Sequence, residues 1–146
     1  MVHALEEAHR LLTPDGFLVD IHPVPEAPNI EVRQGGKLLL SEPYPAQSVE
    51  DYRQADRAIE SAIERRLFAA PGRNHFDFLT YASSASELRD FFKKTGAYDQ
   101  TPKDQTVEAR KAELFSRVDQ LIKSTGAAAE VIFVERAQVA VLRPIA

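Results

Sequence analysis

The 146-residue sequence contains no cysteine, few glycines and no surplus of basic residues. Without cysteine the chain has no disulfide, no thiolate metal site and no cysteine nucleophile, so a cytoplasmic location is the simplest expectation. The formal net charge of -4 disfavours binding to nucleic acid or to an anionic membrane surface. No apolar run approaches the roughly 18 residues of a membrane-spanning helix, and the acidic Glu6 and Glu7 disfavour a signal peptide.

The scarcity of glycine also limits the cofactors that the chain can bind. The sequence has six glycines and no G-x-G spacing. Glycine-rich loops allow the backbone to approach a nucleotide-like ligand beside a helix N-terminus. We therefore expect this chain alone to hold no cofactor of that kind.

The hydrophobic pattern predicts a single α/β domain over residues 1–146, with a small mixed sheet and flanking helices. Short apolar runs predict strands at 17–21 and 130–143, and Gly35-Gly36 between two such runs predicts a β-hairpin arm over 30–40. Apolar residues at helical spacing predict four helices, with Ser84 and Glu87 as a capping box at the start of the third. These helices are expected near residues 5–12, 48–68, 84–94 and 103–124, with Pro71-Gly72 ending the second.

Aromatic residues are concentrated between the second and third predicted helices and within the third. We expect this cluster to belong to the core, and a ligand pocket is the alternative. The residues concerned are Phe76, Phe78, Tyr81, Phe91 and Phe92.

Two segments carry a family resemblance. The first, at 4–18, reads ALEEAHRLLTPDGFL, a helix that ends in a Pro-Asp-Gly turn and enters a strand. The second is the final strand, FVERAQVAVLR at 133–143. Together they resemble the second half of class I S-adenosylmethionine-dependent methyltransferases of the type 11 kind, and the segment 76–96 is similar to the part of those enzymes that precedes the last strand.

The resemblance implies a Rossmann-like fold of which only the second half is present. In that family a glycine-rich loop after the first strand and an acidic residue ending the second strand bind the methyl donor, and neither has a counterpart here. We therefore expect a methyltransferase-related fragment or partner subunit that is not catalytic alone. No catalytic or cofactor-binding residue is carried over, and S-adenosylmethionine is expected only if a partner completes the site.

The missing half also implies an open strand edge. In the family the strand that corresponds to 17–21 lies between the fourth strand and the last strand. Without the fourth strand one edge of 17–21 is unpaired, and such edges recruit partners. We expect the edge to be covered by a second copy in a homodimer, by a separate N-terminal partner chain, or by the hairpin at 30–40 folding back.

Four polar residues are weak candidates for a ligand site. Asp20 and His22 alternate on one face at the carboxyl end of a predicted strand, where open α/β sheets place ligands. His75 and Asp77 repeat the spacing, and the four residues could together bind a metal ion. Local strand-end and loop roles explain the same residues more simply. A small-ligand-binding or regulatory module, and a metal-dependent enzyme, are the alternative functions.

Overall fold

A computed structural model describes residues 2–45, 49–96, 102–125 and 129–145. Four helices and five strands occur in these residues, in the chain order α1, β1, β2, β3, α2, β4, α3, α4, β5. The helices are α1 (Val2–Leu11), α2 (Glu50–Glu64), α3 (Ala85–Thr95) and α4 (Gln105–Thr125). The strands are β1 (Leu18–Pro23), β2 (Asn29–Gln34), β3 (Lys37–Pro43), β4 (Phe68–Ala82) and β5 (Glu130–Pro144). None of the described helices combines the length and the apolar character needed to cross a membrane.

The chain divides into two compact units, and β4 and β5 each run through both. Unit 1 contains Met1–Glu26, Ser48–Asp77 and Arg136–Ala146, and unit 2 contains Ala27–Gln47 and Phe78–Glu135. Neither unit is a continuous segment of chain. This division does not test whether residues 1–146 fold as one domain, which stays a prediction.

Every strand pairing whose register is resolved is antiparallel, and most involve β5. β1 pairs with β5 from Leu18↔Leu142 to Pro23↔Ala137, and β2 pairs with it from Asn29↔Val134 to Arg33↔Glu130. β4 also pairs with β5, while β3 pairs with β2. The α/β class is confirmed, but the mixed sheet was a wrong prediction. The reason is that antiparallel ladders link β1, β2 and β3 through β5, and among the described residues no parallel strand is paired with β1.

Unit 1 packs α1 and α2 against β1, the first part of β4 and the second part of β5. Phe68 is fully buried, and the His9 ring meets it edge-on at 5.3 Å between centroids. Arg65 on the end of α2 forms an ion pair with Glu6 on α1 at 2.5 Å, and this guanidinium, followed by His3, lowers the pKa of the Glu6 carboxyl. The buried apolar residues of this core are Leu5, Ala58, Ile59, Ala62, Phe68, Ala140 and Leu142.

The end of α2 explains why the predicted helix was too long. The amide of Leu67 donates to the Ala62 carbonyl at 3.0 Å, and the amide of Arg66 donates to that of Ile63 at 2.9 Å. This is the Schellman pattern, and Arg66 has the left-handed φ of 58° that usually selects glycine. Because no glycine occupies this position, the sequence pattern predicted a helix that ends only at Pro71-Gly72. These two residues instead lie inside β4.

In unit 2 the predicted hairpin forms, but it joins the sheet through β2 and is not a separate arm. Gly35 and Gly36 have φ of 56° and 80°, as a two-residue type I′ turn requires. The register changes from Val32↔Leu40 to Arg33↔Leu38, so Leu39 is an extra residue on β3. Leu39 and Leu40 both pack against the core, whereas Leu38 is exposed.

The aromatic core of unit 2 is centred on Tyr44 and differs from the predicted cluster. The Tyr44 ring lies 5.2 Å from Phe92 and 5.4 Å from Phe133 between centroids, and Phe115 completes the group. Burial, followed by the charge of Glu108, raises the pKa of the Tyr44 phenol to about 12. Of the five aromatics expected in the core only Phe92 packs there, because the others lie on outward positions of β4 or α3. The exposed four are Phe76, Phe78, Tyr81 and Phe91.

The predicted Ser84 cap at the start of α3 is confirmed, but Glu87 reaches back to Ser83 and not to the Ser84 amide of a full capping box. The Ser84 hydroxyl accepts a hydrogen bond from the Glu87 amide at 3.1 Å. The Glu87 carboxylate in turn accepts hydrogen bonds from the Ser83 hydroxyl and the Ser83 amide, each at 2.7 Å. These two bonds lower the pKa of Glu87 from its ordinary value of 4.5.

This carboxylate gives a pH-dependent contribution to stability. Because its pKa is lower in the folded chain than in the unfolded chain, the stabilisation is complete above about pH 4.5 and is lost as pH falls through the folded value. We predict that Glu87→Gln lowers the free energy of unfolding at pH 7, and that its difference from the unaltered protein shrinks at pH 3. Urea denaturation at both pH values measures this, with exposed Glu113→Gln as the control for loss of one negative charge. An equal difference at the two pH values contradicts the prediction.

Candidate functional site

The candidate site lies in unit 1, where β1 faces α2. Asp20 and His22 are two residues apart on β1, so their side chains share one face of the strand. His22 is opposite Gln138 in the β1–β5 ladder, and Asp20 is opposite the small residue Ala140. Directly opposed residues of antiparallel strands present their side chains on the same face. Helix α2 contributes Asp56 to the group.

His22 is held between two carboxylates. Its Nδ1 lies 2.5 Å from Asp20 Oδ2 and its Nε2 lies 3.0 Å from Asp56 Oδ1. The His22 side chain is only 10% exposed, while Asp20 is 19% and Asp56 28% exposed. Both ring nitrogens are therefore engaged, and the imidazole is fixed from two elements that are far apart in sequence.

The number of hydrogens shared by the three groups decides whether both contacts of His22 are hydrogen bonds. A carboxylate only accepts hydrogen bonds, and a neutral imidazole has one N–H. Both contacts are hydrogen bonds only when two hydrogens are shared by the three groups, as an imidazolium with two carboxylates or as a neutral ring with one carboxylic acid. In either form the group has one net negative charge.

Gln138 adds an unsatisfied donor to this group. Its side chain is buried, with the residue 7% exposed, and its amide Nε2 has no hydrogen-bond partner among the described residues. A buried N–H without a partner is costly and is uncommon in folded proteins. The register places Gln138 directly opposite His22, on the same face of the sheet, so we group Asp20, His22, Asp56 and Gln138 as the His22 cluster.

The chemistry available to the His22 cluster is proton exchange and hydrogen bonding. Asp56 is its most exposed member, so a proton reaches solvent or a bound molecule most directly there. A histidine fixed by a carboxylate is a common arrangement for acid–base steps. The hydrogen bonds of the cluster include no serine, threonine or lysine nucleophile.

His75 and Asp77 are not brought into contact with His22 by any described interaction. Both lie on β4 and are exposed, and the side chain of Asn74 accepts a hydrogen bond from the His75 amide at 2.9 Å. Within the described ranges no three histidine, cysteine or acidic residues are grouped as metal ligands. The structure therefore unites the first predicted pair, Asp20 and His22, and leaves the second pair apart from it.

Sequence reasoning missed Asp56 and Gln138 for different reasons. Asp56 is one of many charged residues on α2 and falls among the positions expected to face solvent. Gln138 did carry a signal, because Ala140 and Leu142 at the same parity of β5 are buried. A polar residue on the buried face of an apolar strand is a candidate for a specific hydrogen bond.

Comparison with known proteins gives no further assignment. No protein-family model matches the chain, and neither do any curated proteins or solved structures. The site must therefore be interpreted from its own geometry, and the resemblance in the sequence stays a prediction.

The arrangement predicts unequal roles for two histidines of the same unit. His22→Ala leaves two partly buried carboxylates without their shared donor, so we expect the free energy of unfolding to fall by about 1–3 kcal/mol. His75→Ala, the matched control on an exposed strand position, should change it by less than about 0.5 kcal/mol. Urea denaturation of the two variants at pH 7 measures both values. Equal effects would show that His22 is not held as described.

Proposed function

We propose that this chain is the substrate-side half of a methyltransferase-like, Rossmann-like fold, and that it is not catalytic alone. The observation that supports this most is the antiparallel ladder between β1 and β5. These strands belong to the two sequence segments that carry the resemblance. In the family the corresponding strands are neighbours.

The turn before β1 gives a second line of support. α1 ends at Leu11, and the Gly16 amide donates to the Thr13 carbonyl at 2.9 Å. A Cβ atom at Gly16 would lie 3.0 Å from the Thr13 carbonyl oxygen and 3.1 Å from a Leu12 methyl carbon. The turn thus favours glycine at the position where the Pro-Asp-Gly sequence supplies it.

The proposed function assigns the methyl donor to another polypeptide. Six glycines without a G-x-G spacing leave no segment of this chain suited to a donor-binding loop. The proposed contribution of this chain is the surface around the His22 cluster, at the carboxyl end of β1, where a substrate would be positioned. The absence of cysteine supports a cytoplasmic location for such an assembly.

A calorimetric titration with S-adenosylmethionine tests the proposal. We expect no heat of binding from the purified chain at millimolar ligand, because no loop brings backbone amides to the donor. A methyltransferase that contains the glycine-rich loop serves as the positive control in the same buffer. Micromolar or tighter binding by this chain would contradict the proposal, since it would require a complete donor site here.

The His22 cluster favours a second candidate function, a small-ligand-binding module. Gln138 Nε2 is a buried donor that no described residue uses, Asp56 is the most exposed group of the cluster, and the cluster has one net negative charge when both His22 hydrogen bonds are made. The complementary ligand has an oxygen acceptor for the amide and a positive group for the carboxylates. Small amino alcohols have this combination.

Ethanolamine is a suitable probe of this second function. We predict that adding it shifts the NMR signals of the Gln138 side-chain amide in a saturable way, with sodium chloride at equal ionic strength as the control. Gln138→Leu removes the amide at similar volume and should abolish the saturable shifts of the neighbouring His22 ring. Shifts that persist in Gln138→Leu, or that never saturate, would count against a built ligand site.

A further inference from the structure

The outer edge of β1 is a sheet edge that forms no strand pairing among the described residues. β1 is the end strand in the order β1-β5-β2-β3, and β5 is its only strand partner among the described residues. Monomeric proteins usually protect such an edge with lysine, proline or a bulge. Residues 18–22 contain no lysine, proline or bulge, their one acidic residue, Asp20, is hydrogen-bonded to His22, and Pro23 comes only at the end of the strand.

The direction of the backbone groups on β1 follows from one hydrogen bond. The Val24 amide donates to the Arg136 carbonyl at 2.9 Å, in register with the β1–β5 ladder. Hydrogen-bonded positions alternate in an antiparallel pair, so the even residues of β1 point their backbone groups towards β5. The odd residues Val19 and Ile21 therefore point their N–H and C=O groups outwards, available to another strand.

The same odd residues form an exposed apolar surface. Val19 is 45% exposed and Ile21 is 61% exposed, and Phe17 just before the strand is 59% exposed. Their side chains lie on the face opposite to Asp20 and His22. An added strand that placed apolar residues beside them would remove this surface from water while satisfying the outward backbone groups.

We propose that a second copy of this chain pairs with β1, antiparallel and centred on Val19. In this register Val19 opposes Val19 of the second copy, and Ile21 opposes Phe17 of the second copy. The outward backbone groups of Val19 and Ile21 then face outward backbone groups of the second copy and can form hydrogen bonds with them. The opposed aliphatic and aromatic side chains also form favourable cross-strand pairs.

Neighbouring registers are less favourable, which makes the proposal specific. A register shifted by one position pairs an odd residue of one copy, whose backbone groups point outwards, with an even residue of the other copy, whose backbone groups point towards β5. The hydrogen bonds between the two copies are then lost. Centring the pair on Asp20 places two carboxylates opposite each other and sets Phe17 against Pro23, which has no N–H. Centring it on Leu18 sets Ile21 against Asp15, in the turn before the strand. Of the registers compared, the one centred on Val19 therefore gives the most favourable pairing of two antiparallel copies of β1.

A second copy and a donor-binding partner chain would use the same free edge of β1, so they are alternative occupants of that edge, and the test of this inference is separate from donor binding. Equilibrium sedimentation should give a dimeric mass, and Val19→Pro should weaken the dimer at least tenfold. Proline at residue 19 removes only an outward N–H, so the β1–β5 ladder is spared. Leu38→Lys, at an exposed apolar position on β3, is the matched control and should remain as dimeric as the unaltered chain.

Single cysteines test the register, because the chain contains none of its own. Val19→Cys should form a disulfide-linked dimer on mild oxidation, since directly opposed Cα atoms lie about 5.5 Å apart. Ile21→Cys should not, since the two equivalent positions would be about 13 Å apart. A monomer at about 100 µM, such as one that awaits a different partner chain, overturns the proposal. A dimer insensitive to Val19→Pro, or one linked through Ile21→Cys, overturns it equally.

Discussion

The antiparallel ladder along β5 is the constraint on which the rest of the structure depends. This 15-residue strand pairs with β1 through Ala137–Leu142 and with β2 through Glu130–Val134, and β4 pairs with it as well. Each unit therefore builds its core on one stretch of the same strand. In unit 1 the stretch contributes Ala140 and Leu142 to the core, and in unit 2 it contributes Val131 and Phe133.

The two faces and the free edge of β1 give unit 1 its functional features. On one face His22 joins Asp20 and Asp56, and the buried Gln138 lies opposite His22 on β5. The opposite face is apolar and exposed, and the outer edge pairs with no other strand in the described part of the chain. Strand alternation alone produces this division, because a period of two sends neighbouring side chains to opposite faces. The site and the docking edge therefore do not compete for the same side chains.

Much of the fold could be predicted from local patterns, and the errors have identifiable causes. The hairpin turn and the Ser84 helix cap were predicted correctly because glycine pairs and the Ser-x-x-Glu spacing act within a few residues. The end of α2 was missed because Arg66 occupies a position that glycine normally marks. The aromatic core was missed because Tyr44, Phe115 and Phe133 come from separate elements, which only tertiary packing brings together.

The candidate site shows the same limit. Asp20 and His22 were found because they are neighbours on one strand, whereas Asp56 is 34 residues from His22 and no local pattern links the two. His75 and Asp77 repeat the spacing of the first pair but lie on a different strand, with exposed side chains. Spacing within a strand can therefore identify a shared face, but it does not show which faces meet.

Backbone hydrogen exchange at β1, followed over a range of protein concentrations, tests the central claim about its free edge most directly. The account predicts that the amides of Asp20 and His22 are protected at every concentration, because β5 accepts their hydrogen bonds. The amides of Val19 and Ile21 should exchange rapidly in dilute solution and become protected as concentration rises. Rapid exchange of both at all concentrations would contradict the account, as would full protection in the most dilute sample, because the edge would then be either unused or already covered within one chain.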